Sequence, residues 1–223
     1  NVAGARAVFG VGADSPPAWH GDTDLVLVWG EGCNFADLPR GAAVVFLNNL
    51  AHAALPATFV LYAGYRYGWD ARTVGLTLGA IGICSAVVQG ALVAPLVGRF
   101  GERRILISGL LLGAVGFAMY GVATTGTLFV AAVPVVALWG LASPAAQALM
   151  SRRIGPSEQG QLQGANGSVM GIATMIGPGM FAATFAYFIG EGASVHLPGA
   201  AYLLAAMLLL LGAVLAARVT ARS

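Results

Sequence analysis

Long uncharged apolar runs, separated by short charged clusters, organise this chain. Between Gly41 and Ala217 the stretches 41–65, 73–98, 105–151, 159–190 and 192–217 carry no charged side chain. About 20 helical residues cross the hydrocarbon core of a bilayer. Each stretch is therefore long enough for one crossing, and the 47-residue stretch for two. The pattern predicts helices at about 42–64, 73–97, 105–124, 127–150, 162–189 and 197–217. Thr124-Thr125-Gly126-Thr127 splits the long stretch as a turn-prone cluster. Asp70 stands where the second helix needs an N-cap, with its charge where the helix dipole favours an anion. A membrane β-barrel is excluded, because its strands alternate over about ten residues and these runs are continuous. The expected fold class is an all-α membrane protein with six transmembrane helices over 41–223.

Composition narrows the function. The 223 residues are 58% hydrophobic and 9% charged, with mean hydropathy +0.80. A soluble domain carries about 25% charged residues, so soluble enzymes, nucleic-acid binders and secreted disulfide scaffolds are set aside. A net charge of +2 calls for no nucleic-acid partner, and Cys33 and Cys84 form neither a disulfide framework nor a metal site. No cofactor is expected; the partner that the composition demands is the lipid bilayer. Orientation follows from arginine, since the chain has no lysine. Arg40, Arg99, Arg103, Arg104, Arg152, Arg153, Arg218 and Arg222 fall on one side of the six crossings, and Arg66 and Arg72 on the other. The positive-inside bias then puts both ends of the bundle in the cytoplasm. Residues 1–40 differ: they hold five of the nine acids and only a short apolar run, Leu25 to Gly30. They read as an atypical loop or linker, disordered or frame-shifted, of a chain that starts at Asn1 and belongs to something longer.

Polar residues inside the spans point to a cavity. The third span has only Ser108 from Ile105 to Tyr120, and the sixth only Tyr202 near its start. Both suit a lipid-facing periphery. The first carries Asn48, Asn49 and His52 within one turn, the second Ser85 and Gln89 four apart, the fourth Trp139, Ser143 and Gln147 at i+4 steps. The fifth opens with Gln161, Gln163 and Asn166 and breaks at Gly177-Pro178-Gly179. Uncharged amides in hydrocarbon need each other, backbone or water. Interhelical packing supplies such partners without transport. Four striped spans beside two bare ones favour a substrate cavity. Gly75/Gly79, Gly109/Gly113 and Gly167/Gly171 are spacings for close helix approach. His52 is the ionisable side chain inside a span, and hence the proton-coupling candidate, against the alternative of a neutral imidazole bonded to a neighbouring helix.

The turn Gly98-Arg99-Phe100-Gly101-Glu102-Arg103-Arg104 is the most specific element. Its glycines permit a tight reversal. Arg99 sits where a helix C-terminus attracts a cation and Glu102 where the next N-terminus attracts an anion. These residues form a candidate cytoplasmic gating loop, facing the 152–164 loop across the same side.

Several pieces, in order, resemble the tetracycline-resistance-like branch of drug/proton antiporters in the major facilitator superfamily. They are Tyr67-Gly68-Trp69-Asp70, Gly101-Glu102-Arg103-Arg104, Pro144-Ala145-Ala146-Gln147-Ala148-Leu149-Met150-Ser151-Arg152, Gln159-Gly160-Gln161-Leu162-Gln163-Gly164 and Ile176-Gly177-Pro178. The resemblance covers about 42–217 and implies the C-terminal half of a 12-helix transporter, with substrate held between two related bundles. It implies proton-coupled export of a lipophilic small molecule or drug across a bacterial inner membrane. The implied partners are a small-molecule substrate, the proton, and an N-terminal six-helix half or a second copy. In that family the third and sixth helices of each half are peripheral. Two positions depart: Gly113 stands where tetracycline exporters carry a carboxylate, and Ser85 where they carry a histidine, although Gln89 matches. Both departures argue against tetracycline itself.

Three other readings stand beside export: uptake of a sugar or metabolite, a truncated non-transporting remnant or membrane assembly partner, and a six-span membrane enzyme. A sugar phosphate would demand arginine in the cavity. An intramembrane serine protease needs a nucleophile in a glycine-rich setting, which Ser143 in Leu141-Ala142-Ser143-Pro144 lacks. The chain is therefore read as a transporter and not an enzyme.

Overall fold

A computed structural model describes residues 38–151, 159–190 and 195–221. Of the 1–40 linker reading, residues 1–37 fall outside the described residues, as do Arg152, Arg153, Arg222 and most of the 152–164 loop, whereas Leu38–Arg40 already belong to the helix Leu38–His52. Six helices there are long and apolar enough to cross a membrane: Gly41–Tyr67, Ala71–Phe100, Glu102–Val122, Gly126–Ser151, Leu162–Ile189 and Ala200–Arg218. They are called spans 1 to 6. Among the described residues all regular structure is helical, and the six spans lie within a few residues of their predicted positions.

Local chemistry sets the reversals between spans. Gly68 closes span 1 in the left-handed region (φ 65°), with its N–H on the carbonyls of Ala63 and Gly64. The Asp70 carboxylate then accepts the Thr73 N–H at 2.9 Å and starts span 2 as the predicted N-cap. Thr125 caps span 4 in the same way, accepting from the Leu128 N–H at 3.4 Å. Between spans 2 and 3 the structure is tighter than the sequence suggested. Helix continues through Gly98, Arg99 and Phe100 and resumes at Glu102, so Gly101 alone makes the turn. Its φ of 79° and ψ of 155° suit glycine only. Gly98 is an ordinary helical residue.

Prolines explain where the spans depart from α-helix. A proline cannot donate to the carbonyl four residues back. Pro56 leaves the His52 carbonyl without that bond, and span 1 breaks at Ala53, whose N–H turns to Leu50 at 3.1 Å. Pro144 does the same to Gly140, and Trp139–Leu141 tightens into a 3₁₀ turn. Pro95 follows a π turn at Val88–Leu92 in span 2. The π turn of span 2 faces the 3₁₀ turn of span 4, whereas the break in span 1 faces span 5, which runs as unbroken α-helix through the Gly177-Pro178-Gly179 expected to break it. A Cβ at Gly140 would lie 3.7 Å from Gln89 Cγ, and one at Gly177, beside Pro178 in span 5, would lie 2.5 Å from Ala53 Cβ.

The packed core lies towards the end where span 1 finishes. Phe59, Tyr62, Phe117, Tyr120, Phe129, Phe181 and Tyr202, drawn from spans 1, 3, 4, 5 and 6, are fully buried. Tyr120 and Phe129 stack at 4.0 Å between centroids. Nearby, the Ala123 carbonyl that ends span 3 accepts both Arg66 Nε and Tyr67 Oη at 2.9 Å. A guanidinium there also meets the negative end of the helix dipole.

Spans 3 and 6 are the most enclosed: 56% and 50% of their central windows are buried, against 6% for span 2. Their apolarity serves packing inside the bundle as well as contact with lipid. Gly109 and Gly113 of span 3 admit Ala142 and Trp139 of span 4, at 2.9 Å and 2.7 Å from where a Cβ would stand. The opposite stripes, Leu111, Val115 and Val122 in span 3 and Met207, Leu211 and Val214 in span 6, stay exposed. Spans 2 and 5 are the open ones. Gly75, Gly79, Gly167 and Gly171, expected to seat close neighbours, have nothing within 4 Å of a Cβ.

Candidate substrate cleft

Three of the four striped spans build a polar cleft. Span 1 presents one face every i+3/i+4 step, so Val44, Val45, Asn48 and Asn49 share a wall. Ala142, Ser143, Ala146, Gln147 and Met150 of span 4 form the second wall, and Gln163, Asn166, Gly167 and Met170 of span 5 the third. Leu106 of span 3 closes the back. The cleft has a volume of about 230 Å³ and, among the described residues, no charged side chain in its lining. It lies at the arginine-rich end of the bundle, where span 1 begins, span 4 ends and span 5 begins.

The predicted site residues separate into three groups. Asn48, Asn49, Ser143, Gln147 and Asn166 come together in the lining. Trp139 and His52 stand just beyond it. Trp139 Nε1 donates to Asn48 Oδ1 at 2.9 Å, and Asn48 Nδ2 donates to Ser143 Oγ at 3.4 Å. The exposed His52 ring lies 5.3 Å from the Trp139 ring. Ser85 and Gln89 do not reach the cleft; Gln89 lies on Gly140, and span 2 contributes no lining residue. The π turn just after Ser85 and the proline that follows it turn this stretch of span 2 towards span 4's 3₁₀ turn instead.

Sequence reasoning had Gln163 among the polar residues that open the fifth span, and passed over Leu106, Met150 and Met170. Apolar residues at a cleft edge leave no signal distinct from a lipid-facing one. The gating-loop residues lie together at the same end. Arg99 falls in the last turn of span 2 and Glu102 in the first turn of span 3, both as the helix dipoles favour. The Arg99 guanidinium sits over the Phe100 ring at 5.5 Å, and Arg103 and Arg104 are exposed. Outside the spans, hydrogen bonds from Thr73 hold the Asp70 carboxyl below its usual range.

Comparison with known proteins agrees with this geometry. The Major Facilitator Superfamily profile matches residues 41–223. Among similar proteins, the class G tetracycline resistance protein of Vibrio anguillarum is 34% identical over 148 residues, covering 66% of this chain and 38% of that protein. The class C tetracycline resistance protein of Escherichia coli is 32% identical over 143 residues, 64% of this chain and 36% of that protein. The human Hippocampus abundant transcript-like protein 1 is 28% identical over 65% of this chain and 28% of its own length. The crystal structure of the human organic anion transporter MFSD10 (TETRAN) superposes with a TM-score of 0.70 at 20% identity, over 84% of this chain and 42% of that one. That likeness concerns the fold. The chain thus spans well under half the length of the curated relatives it matches. Six apolar spans, a polar cleft between helices and a profile match across the whole bundle identify an integral membrane protein that belongs to the major facilitator superfamily of transporters.

Proposed function

We propose that this bundle is one half of a proton-coupled exporter of lipophilic, weakly polar small molecules, working in a bacterial inner membrane with its arginine-rich end in the cytoplasm. The observation that carries the reading is the cleft itself. Six amide and hydroxyl side chains, Asn48, Asn49, Ser143, Gln147, Gln163 and Asn166, line it together with Leu106, Met150 and Met170, with no charge among the described residues. Such a lining accepts an uncharged or aromatic cargo and offers a sugar phosphate no counter-charge. The relatives named tetracycline resistance proteins support export of a drug-like compound. The arginine distribution supports the orientation.

The second bundle is part of the proposal. Spans 2 and 5 expose Leu76, Ile83, Val87, Met175 and Tyr187 along with their open glycines, and an N-terminal six-helix half or a second copy would cover them. His52 is the proposed proton site, one turn from Asn48 and beside Trp139.

Everted membrane vesicles containing the complete transporter test this. Addition of a lipophilic aromatic cargo is expected to release a preformed proton gradient. Asn48→Leu and Gln147→Leu should weaken the response about tenfold, and His52→Gln should abolish it while cargo still binds. Vesicles that ignore every lipophilic compound but collapse the gradient with sugars would replace export with uptake.

A further inference from the structure

We propose that Trp139 fixes which end of the Asn48 carboxamide meets the cleft, and that the cleft therefore selects cargo bearing an uncharged carbonyl-type acceptor. This rests on the cleft being the cargo site. An indole N–H can only donate. Trp139 Nε1 donates to Asn48 Oδ1 at 2.9 Å, so the amide oxygen is committed to the indole and the NH₂ group is the end on cleft-lining Ser143, one turn further along span 4, at 3.4 Å. One N–H serves Ser143; the second is left for a cargo acceptor.

The indole has little freedom to release the amide. Its Cγ and Cδ1 occupy the notch over Gly113, each 2.7 Å from where a Cβ would stand. Phe117 meets it edge-on at 5.4 Å, and His52 lies on another side at 5.3 Å. Gly113 and Trp139 thus act as positioning residues for Asn48.

The neighbouring amide is committed differently. Asn49 Nδ2 donates to the Val45 carbonyl of its own helix at 2.8 Å, which leaves Oδ1 as its acceptor. The remaining Asn48 N–H suits the carbonyl oxygen of a neutral ketone, ester or amide, each of which accepts. A carboxylate would enter with no positive side chain among the described lining residues to receive it.

The test uses the chain in lipid nanodiscs with three matched probes: 2-acetylnaphthalene, 2-ethylnaphthalene and 2-naphthoate. Binding is followed by shifts of resonances at Ser143, Gln147 and Asn166. The ketone is expected to bind about three- to tenfold more tightly than the hydrocarbon, one hydrogen bond's worth, and the carboxylate more weakly than either. Trp139→Phe keeps the aromatic wall and removes the donor, so it should bring the ketone-to-hydrocarbon ratio close to one while hydrocarbon binding persists. A purely structural role would weaken all probes together and leave the ratio intact. Asn48→Leu is expected to remove the same preference and stands in if Trp139→Phe fails to insert. Equal binding of ketone and hydrocarbon to the native chain, or an unchanged ratio in the variants, overturns the assignment and leaves the cleft standing. No shift at the three cleft residues with any probe removes both.

Discussion

Gly113 and Trp139 occupy adjoining space so closely that neither side chain can be chosen alone. A methyl at 113 would overlap the indole and also approach Leu209 Cδ1 at 2.9 Å. Gly113→Ala should therefore destabilise the bundle by about 1–3 kcal/mol through overpacking. Gly79→Ala meets nothing and should stabilise it by about 0.5–1 kcal/mol, the usual gain for alanine over glycine in a helix. Thermal unfolding in detergent reads both, and equal shifts would contradict the notch. Asp70 gives a pH-dependent counterpart. The bonds from Thr73 place its folded pKa below the unfolded one, so its contribution is present above the unfolded value and fades as pH falls through the folded one. Asp70→Asn should keep most of the cap and flatten this acid-side decline. Melting points of the two proteins, compared from neutral to acid pH, check it.

The helices themselves were legible because their signals are covalent and local. Charge-free length gave the spans, and Asp70 and the Thr125 cluster gave starts; Pro56 and Pro144 each follow a break, but the break expected at Gly177-Pro178-Gly179 is absent. What kind of break each proline makes was not legible. The same residue leaves a π turn ahead of Pro95, a 3₁₀ turn ahead of Pro144 and unbroken α-helix at Pro178, because the helix opposite decides which distortion packs. The spans 2–3 turn was misjudged for a related reason: one glycine at positive φ suffices when the flanking helices run to its edges. That turn ties two helix ends to a single hinge residue. Glu102→Ala or Arg103→Ala in the complete transporter should slow efflux without reducing membrane insertion, as judged from transport rates normalised to inserted protein. Unchanged efflux in both would remove the turn from gating.

At the scale of the whole bundle, polarity picked out three helices that line the cleft; it did not show that spans 3 and 6 would be the most enclosed, and span 2 adds no residue to the cleft. Ser85 and Gln89 share a face, but a face does not say which neighbour it meets; azimuth around a helix is set by packing between distant segments. The arrangement makes a labelling prediction. In a cysteine-free background, Asn48→Cys, Gln147→Cys and Asn166→Cys should react with a hydrophilic thiol reagent, and Leu111→Cys and Leu209→Cys should resist it. Leu111 faces lipid and Leu209 is wholly buried, so the two would be protected for different physical reasons. The reverse pattern would end the cleft reading.

The bare glycine rows of spans 2 and 5 carry a cellular consequence. Acyl chains cannot follow such narrow furrows as well as another helix can, so an unaccompanied bundle exposes rough, poorly solvated backbone to lipid. The lifetime of the bundle should therefore depend on prompt assembly, and its abundance should track that of whatever covers those furrows.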